Sequence, residues 1–195
     1  GGTDPTCFTY SDGFALVNAF GGTGGAYTYL WNDPAAQAND TAFALGNGTY
    51  TVVVTDSNLC FDTISVQLID PLLFSVNVTN NNVSCFSVCD GSAMTTLTNG
   101  ISPFAYVWDD PSAQTTVSIF GLCDGPVNVI ITDAMGCVAV GGIVITEPAL
   151  LVVTELTHGD VSCAGGNDGF SSVDVVGGTG PYNYLWELAG NPISV

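Results

Sequence analysis

Cysteine and carboxylate side chains give this 195-residue chain most of its potential for chemistry. There are seven cysteines, and three of them, Cys7, Cys85 and Cys163, recur at intervals of 78 residues. Cys60 and Cys137 are 77 residues apart. Cysteines in such a pattern form disulfides or hold a metal ion, and the residues around them decide between the two.

The spacing of the cysteines predicts how they pair. Each of the first two units of the repeat has an early and a late cysteine, which we expect to bond within the unit. The second unit has two further cysteines, which we expect to bond to each other. The expected disulfides are Cys7–Cys60, Cys85–Cys137 and Cys89–Cys123, with the partner of Cys163 beyond Val195.

Zinc is the competing interpretation for the segment CFSVC at residues 85–89. No second cysteine pair or histidine pair accompanies it, and the other units lack its second cysteine, so disulfides are favoured. A disulfide that closes a loop of about 50 residues stabilises a small domain by on the order of 4 kcal/mol. Disulfides also indicate an oxidising compartment outside the cell.

The carboxylates occur at repeated places and suggest a calcium site, because Ca²⁺ prefers oxygen ligands. No EF-hand spacing is present, and solvated turn residues that accept local hydrogen bonds are the alternative. The candidate ligands follow the tryptophans, occupy a late hairpin turn or precede a proline: Asp33, Asp109, Asp110, Asp56, Asp133, Asp70 and Glu147.

The charge balance excludes several functions. The chain has no Lys or Arg and a formal net charge of −18, so nucleic acid and anionic membrane surfaces are not expected partners. His158 is the only histidine and is expected in a loop or junction. With the cysteines assigned to disulfides, no nucleophile and base remain together, and we expect no enzymatic activity and no cofactor other than calcium.

The Gly-rich segment GGTGPYNYLW at residues 177–186 could cradle a phosphate or turn the chain. It recurs as GGTGGAYTYLW at 21–31 and as NGISPFAYVW at 99–108, where most glycines are lost. This loss, and the absence of Lys and Arg, favour a turn. The alternating aromatic residues that follow, such as Tyr182, Tyr184 and Trp186, predict a strand with one covered face.

The whole chain is a tandem repeat of about 78 residues. Each unit contains short, alternating segments separated by turn signals and no helical period, which predicts an antiparallel β-sandwich. Proline marks the junctions in DPLL and EPAL. The expected domains are 1–71, lacking a first strand, 72–148, complete, and 149–195, truncated, within a longer array.

These motifs carry a resemblance to a known family. The order VSC…DG, then a Gly-rich turn with Y-x-Y-x-W, TVVVTD…C and ITEP is similar to the SprB-type repeat. The resemblance implies tandem immunoglobulin-like sandwiches, secretion, display on a bacterial cell surface and no enzymatic activity. Gliding-motility adhesins contain long arrays of such repeats.

Glycosylation is expected on two kinds of acceptor. Two Asp-Thr-aliphatic segments resemble bacterial O-linked acceptors, and four Asn-x-Ser/Thr segments match the N-linked pattern. Glycans would also guard sheet edges that lack Lys. The acceptors are Thr41, Thr63, Asn39, Asn47, Asn77 and Asn82.

Two functions fit these observations. We expect a structural segment of an extracellular filament or surface stalk, whose partners are neighbouring repeats or subunits. The alternative is an adhesin that presents a face to carbohydrate or to a surface. The alternating aromatic run occurs in every unit, which favours a core position over a sugar platform.

Overall fold

The computed structural model describes residues 1–22, 25–188 and 191–193. The described residues form strands and loops, without a helix, and eight strand pairings among them are antiparallel. The predicted all-β antiparallel class is therefore confirmed. None of these residues belongs to a helix long and apolar enough to cross a membrane.

The strands follow the sequence repeat. The first repeat contains β1 Gly2–Thr3, β2 Gly13–Leu16, β3 Thr28–Trp31, β4 Thr41–Leu45, β5 Gly48–Thr55 and β6 Phe61–Leu68. The second contains β7 Ser75–Asn81, β8 Gly91–Thr98, β9 Ala105–Trp108, β10 Ser118–Leu122, β11 Gly125–Thr132 and β12 Val138–Ile145. The third contains β13 Val152–Gly159, β14 Phe170–Val176, β15 Trp186–Leu188 and β16 Asn191–Ile193.

The strand order of the first two repeats is that of an immunoglobulin domain. In the first repeat the sheets have the orders β1-β2-β4 and β3-β5-β6. In the second repeat the orders are β7-β8-β10 and β9-β11-β12. An immunoglobulin sandwich places strands A, B and E in one sheet and C, F and G in the other, which is the arrangement found here without strand D.

The core of the first repeat lies between its two sheets. It contains Ala15, Ala42 and Leu45 from one sheet and Trp31, Val52 and Leu68 from the other. Trp31 lies on strand C, where immunoglobulin domains bury a tryptophan. The equivalent residues of the second repeat are also buried: Ala93, Trp108, Ile119, Leu122, Val129 and Ile145.

Two local features support the immunoglobulin assignment. The hydroxyl of Tyr50, near the start of β5, donates a hydrogen bond of 3.2 Å to the carbonyl oxygen of Gly46. This is the tyrosine corner that such domains form between strands E and F. On β3, Trp31 is buried and Tyr29 is half-buried, whereas Thr28 and Leu30 are exposed. The predicted alternation is thus present in the first repeat.

The Asp-Gly pairs open a central strand. Gly13 begins β2 and Gly91 begins β8. A Cβ on Gly13 would lie 2.8 Å from the carbonyl oxygen of Thr3 and 2.9 Å from that of Leu45. Glycine is required at this position because the neighbouring backbones on both sides leave no room for a side chain.

The third repeat departs from the predicted pattern. Tyr182 and Tyr184 are exposed and precede the strand, which begins only at Trp186. In the first repeat the equivalent strand β3 pairs with β5. No counterpart of β5 occurs among the described residues of the third repeat, so this aromatic segment lacks the partner strand that would extend it.

The contacts divide the chain into two compact units. One contains residues 1–77, 95–115 and 128–141, and the other contains 78–94, 116–127 and 142–195. The first unit includes the whole sandwich of the first repeat. The second unit includes the β13–β14 hairpin of the third repeat. The domain limits expected from the sequence remain predictions.

Candidate functional site

A disulfide joins residues of two successive repeats. Cys7, in the loop between β1 and β2, is bonded to Cys137, in the turn between β11 and β12. The expected Cys7–Cys60 and Cys85–Cys137 pairs are therefore wrong. Cys60, Cys85 and Cys163 are exposed free thiols. The expected partner of Cys163 lies outside the chain, so that expectation stays a prediction.

The sandwich itself prevents the Cys7–Cys60 bond. The Cys7 loop lies beside the end of β6, since the backbone N–H of Ile69 donates to Asp4 Oδ1 at 2.9 Å. Cys60 follows the far end of β5, where Thr55 pairs with Phe61. The eight residues of β5 span roughly 25 Å, and Cα atoms more than about 7 Å apart cannot be bridged. The two cysteines are thus at opposite ends of one sandwich.

The second disulfide joins Cys89 to Cys123, the pair expected from the sequence. Ser11 and Gly46 occupy the equivalent positions in the first repeat. A Cβ on Gly46 would lie 3.2 Å from Ser11 Oγ, so these positions are also neighbours there. The two positions that carry the extra disulfide in the second repeat are therefore close together in both repeats.

A carboxylate fixes each cysteine loop. In the first repeat the N–H of Thr6 donates to Asp12 Oδ1 at 2.9 Å, and the Thr6 hydroxyl donates to Asp12 Oδ2. Ser84 binds Asp90 in the same way at 2.8 and 2.6 Å. The N–H of Ser162 donates to Asp168 at 3.0 Å. We call this contact the aspartate clasp.

The clasp favours the ionised carboxylate. The hydroxyl of Thr6, followed by its N–H, lowers the pKa of Asp12 below its usual range. The hydroxyl and the N–H of Ser84 lower the pKa of Asp90 in the same order. Sequence reasoning missed this contact, although a hydroxyl residue six positions before the Asp-Gly pair recurs in all three repeats.

The carboxylate that precedes each junction proline accepts a hydrogen bond from the cysteine loop of its own repeat. Asp70 Oδ2 accepts from the N–H of Thr9 at 3.2 Å, and Glu147 Oε2 accepts from the N–H of Ser87 at 2.8 Å. Thr9 and Ser87 have positive φ angles of 64° and 59°. Asp70 Oδ1 is buried without a hydrogen-bond partner among the described residues.

The carboxylates of the late hairpin hold a tight turn. Asp133 Oδ1 accepts from the N–H groups of Met135 and Cys137, both at 2.9 Å, and Oδ2 accepts from Ile101 at 3.0 Å. Burial raises the pKa of Asp133, but these hydrogen bonds together outweigh burial and lower it. Asp56 accepts from the N–H groups of Asn58 and Cys60 at 2.9 Å.

The carboxylates after the tryptophans form a clip with a glutamine. Asp33 accepts from the N–H groups of Ala35 and Gln37 and from the Gln37 side-chain amide. Gln37 in turn accepts from and donates to the backbone of Phe43 on β4, at 2.9 Å each. Burial by itself would raise the pKa of Asp33. The hydrogen bonds from Gln37 and Ala35 outweigh burial, and the pKa is lowered below its usual range.

The clip recurs in the second repeat. Asp110 accepts from the N–H groups of Ser112 and Gln114 and from the Gln114 amide, all at 3.0 Å. The adjacent Asp109 binds the N–H and the side-chain amide of Asn128, at 2.7 Å each. The repeated Asp-x-x-x-Gln spacing is the sequence signal that could have revealed the clip.

The calcium hypothesis gains no support from this geometry. Among the described residues, no three His, Cys, Asp or Glu side chains are grouped so that they could hold a metal ion. Apart from the adjacent Asp109 and Asp110, the candidate carboxylates lie at separate turns, where most of them accept backbone N–H groups. Calcium binding thus stays a prediction from the sequence.

His158 lies on a strand rather than in a loop. It belongs to β13 and pairs with Ser171 of β14. Its Nδ1 atom is 2.8 Å from Glu155 Oε1, and both side chains are exposed. This contact is an ion pair when His158 is protonated.

Two cavities lie beside cysteines at equivalent positions. One, of about 320 Å³, adjoins the Cys7–Cys137 bond and is lined by Phe8, Pro71, Phe74, Asp133 and Val138, among others. The other, of about 430 Å³, adjoins the free Cys60 and is lined by Phe20, Gly22, Tyr27, Asp56, Phe61 and Thr63, among others.

Comparison with known proteins finds one family model that matches two segments of the chain. The SprB repeat model matches residues 3–36 and 157–191, which contain a cysteine loop, an aspartate clasp and the tryptophan. The chain is similar to the SprB repeat in these two segments. The expected resemblance is confirmed at these two places, which together cover less than half of the chain. SprB repeats belong to cell-surface proteins of the adhesin type.

Other comparisons add little to the SprB assignment. A search of curated proteins finds no match. A structure titled "Crystal structure of Down Syndrome Cell Adhesion Molecule (DSCAM) isoform 1.30.30, N-terminal eight Ig domains" has a TM-score of 0.29 and 14% identity. The alignment covers 93% of this chain and 26% of that chain. At this TM-score the likeness supports no argument, and the immunoglobulin assignment rests on strand order.

The residues expected to accept glycans differ in accessibility. Thr63 is exposed on the edge strand β6, whereas Thr41 is half-buried and donates to Asp40 at 3.0 Å. Asn82 is exposed, and its Oδ1 atom accepts from the N–H of Thr146 at 3.0 Å. Asn39, Asn47 and Asn77 are exposed.

Proposed function

We propose that the chain is a structural segment of an extracellular bacterial filament or surface stalk, built from SprB repeats joined end to end. The observation that carries this proposal is the Cys7–Cys137 bond. It connects an end loop of one sandwich to an end turn of the next repeat, and so converts a peptide linkage into two covalent connections.

The second connection suits a load-bearing array. In the chain-entropy model, a disulfide that closes a loop of 130 residues contributes about 5 kcal/mol of stability. The free energy of unfolding of a small sandwich domain is low, so a contribution of this size matters. A covalent link between repeats would also keep them joined when one repeat unfolds under tension.

The surface chemistry suits an exposed environment. With no Lys or Arg, the chain offers no cleavage site to trypsin-like proteases. The net charge of −18 favours solubility and repels other acidic segments. Side-by-side association would therefore need another element, such as a glycan coat.

We extend the proposal to glycosylation, with Thr63 as the preferred O-linked acceptor. Thr63 lies on β6, an edge strand of its sheet, between the exposed residues Phe61 and Ile64. A glycan there would hinder edge-to-edge association, a task that Lys commonly performs in other sheets. Mass spectrometry of peptic peptides from native material tests this: we expect added hexose on the peptide containing Thr63, and an unmodified mass for that peptide would refute it.

Adhesion is the second candidate function. Phe20 and Phe61 are 91% and 73% exposed in the first repeat. Thr98 and Val138 occupy the equivalent positions in the second repeat. Exposed aromatic residues in one repeat and not in another favour a specialised binding face. Glycan-array binding that Phe20→Ser and Phe61→Ser abolish would favour this candidate.

Cryo-electron microscopy of the native, unreduced material separates the two functions. A regular filament with repeats along its axis and density beyond the acceptor side chains is the result expected for a glycosylated structural fibre. Isolated flexible chains of bare domains would contradict the filament and favour an adhesin stalk.

A further inference from the structure

The two disulfides among the described residues differ in their exposure to solvent. Cys7 and Cys137 are 3% and 9% exposed, so the bond between the two repeats is buried. Cys89 and Cys123 are both exposed. A thiol reacts with a disulfide by direct attack on a sulfur atom, so access decides which bond reacts. The Cys89–Cys123 bond is therefore the one that a dissolved thiol can reach.

The sandwich fold does not depend on the exposed bond. The first repeat has Ser11 and Gly46 at the positions of the two cysteines, and its sheets have the same strand order. Cys89 precedes β8, and Cys123 lies in the turn between β10 and β11, so neither cysteine belongs to a strand. Opening this bond should thus release two loop positions and leave the sheets in place.

The surroundings of the exposed bond are acidic. Asp90 directly follows Cys89 in the chain. Asp124 directly follows Cys123, and the chain has no Lys or Arg to offset these charges. The hydroxyl and the N–H of Ser84 lower the pKa of Asp90, so its carboxylate is ionised at neutral pH. Two negative charges beside the bond repel anionic reagents and attract cationic ones.

We propose that Cys89–Cys123 is an exchange site for small cationic thiols, which become attached reversibly as mixed disulfides. This chemical activity goes beyond the structural function and does not rest on it. The site belongs to the second repeat, because the first repeat has Ser11 and Gly46 instead. The third repeat has Asn167 at the position of Cys89.

The reaction is a thiol–disulfide exchange and needs no oxidant. The thiolate of the reagent attacks one sulfur atom of the Cys89–Cys123 pair. A bond from the reagent to that cysteine forms as the bond between the two cysteines breaks. The other cysteine leaves as a thiolate and takes up the proton that the reagent lost. One disulfide and one thiol thus give one mixed disulfide and one thiol, with no net oxidation or reduction.

The geometry favours return to the closed bond. In the first repeat, a Cβ on Gly46 would lie 3.2 Å from Ser11 Oγ, although no bond joins these positions. The equivalent Cys89 and Cys123 should therefore stay adjacent after exchange. The released thiol then has a high effective concentration beside the mixed disulfide and expels the reagent. Attachment persists only while the dissolved thiol is abundant, so the site responds to the thiol concentration.

The test uses the whole 195-residue chain with its free thiols removed. Cys60→Ser/Cys85→Ser/Cys163→Ser is needed because these exposed thiols could attack the disulfides themselves. The variant is mixed with cysteamine, which is cationic, or with mercaptoethanesulfonate, which is anionic and similar in size. Acid stops the exchange, and peptic peptides are analysed by mass spectrometry. Rates are compared per thiolate, because the two reagents ionise to different extents.

We expect cysteamine on Cys89 or Cys123 at least about 100 times sooner than on Cys7 or Cys137, because the buried bond reacts only after local opening. Cysteamine should react about tenfold faster than mercaptoethanesulfonate at low salt. At about 1 M salt, where the Debye length is about 3 Å, the ratio should fall to about two. Equal exchange at the two disulfides, or equal rates for the two reagents, would overturn the proposal.

Charge variants test the acidic surroundings of the bond. Asp124→Asn removes one charge from the exposed turn beside Cys123. It should lower the ratio of the cysteamine rate to the mercaptoethanesulfonate rate about threefold. The matched control, Asp62→Asn, removes one charge from β6 of the first repeat and should leave the ratio unchanged. An unchanged ratio in Asp124→Asn would contradict the preference for cationic thiols.

A purely structural role for the bond is tested separately. Cys89→Ser/Cys123→Ser should still form the Cys7–Cys137 bond, since the first repeat folds with Ser11 and Gly46 at these positions. Attachment of cysteamine should change tryptophan fluorescence little, because Trp108 is buried. Unfolding of the second repeat on attachment would show that the bond holds the fold, and would overturn the exchange site.

Discussion

Cys7 of the first repeat is bonded to Cys137, which holds in the second repeat the position that Cys60 holds in the first. The early cysteine of one repeat therefore bonds to the late cysteine of the next. This pairing joins two repeats, whereas a Cys7–Cys60 bond would have lain within one repeat. It makes the disulfide a connection between domains.

The connecting disulfide should contribute strongly to stability. We expect Cys7→Ser/Cys137→Ser to lower the free energy of unfolding by about 3–5 kcal/mol, since the long loop is no longer closed in the unfolded chain. Urea titration monitored by tryptophan fluorescence measures the change. The matched control, Cys60→Ser/Cys85→Ser, removes two free thiols and should change the value little. A comparable loss in the control would contradict the assignment.

The first repeat should accept the extra disulfide of the second. Ser11→Cys/Gly46→Cys places cysteines where Cys89 and Cys123 stand, at neighbouring positions. We expect a new bond that raises the free energy of unfolding by up to about 4 kcal/mol. Each single variant is the control and should give no gain. Two free thiols in the double variant after oxidation would show that the repeats differ here.

Replacing Gly13 even with alanine should destabilise the protein. Gly13→Ala places a methyl group against two backbone oxygens, at 2.8 and 2.9 Å, so the sheet must shift. We expect a loss of at least about 2 kcal/mol, as for other overpacked sites. At Gly48, a Cβ meets only the Tyr50 side chain, at 3.5 Å, and Gly48→Ala should be nearly neutral. Thermal melting of both variants compares the two positions.

Acid should unfold the chain through its hydrogen-bonded carboxylates. The pKa values of Asp33, Asp110 and Asp133 are lowered in the folded state because hydrogen bonds outweigh burial. The stability they contribute is present above the unfolded pKa of about 3.9 and is lost as pH falls through the lower folded values.

Loss of net charge acts in the opposite direction, because the 18 carboxylates repel one another less as they are protonated. We therefore expect the fall in melting temperature to begin only below about pH 4. Asp33→Asn/Asp110→Asn should be less stable at pH 7 and lose less on acidification. Asp124→Asn, on an exposed turn, is the control. Parallel pH profiles for all three proteins would contradict this role.

The strands were predictable because their signals are local. Alternating residues such as Tyr29 and Trp31, and the turns between them, depend only on neighbouring sequence. The Cys89–Cys123 pair could also be predicted from the sequence, since both cysteines occur in one repeat only. Internal repetition then extended each assignment from one repeat to the others.

The Cys7 partner could not be predicted in this way. Cys60 and Cys137 are repeat equivalents, so their sequence contexts do not distinguish a bond within a repeat from one between repeats. Strand order decides, because it places Cys7 and Cys60 at opposite ends of the same sandwich. The side-chain contacts of Asp33 and Asp12 were not predicted, for a related reason. Their partners, Gln37 and Thr6, are defined by loop geometry.

Disulfide mapping of native, unreduced material is the most direct test of the connection between repeats. The protein is alkylated to block free thiols, digested with pepsin at low pH and analysed by mass spectrometry. We predict a linked peptide pair containing Cys7 and Cys137, and an alkylated peptide for every Cys60 not bonded to another repeat. Linked pairs containing Cys7 with Cys60 and Cys85 with Cys137 would contradict the account.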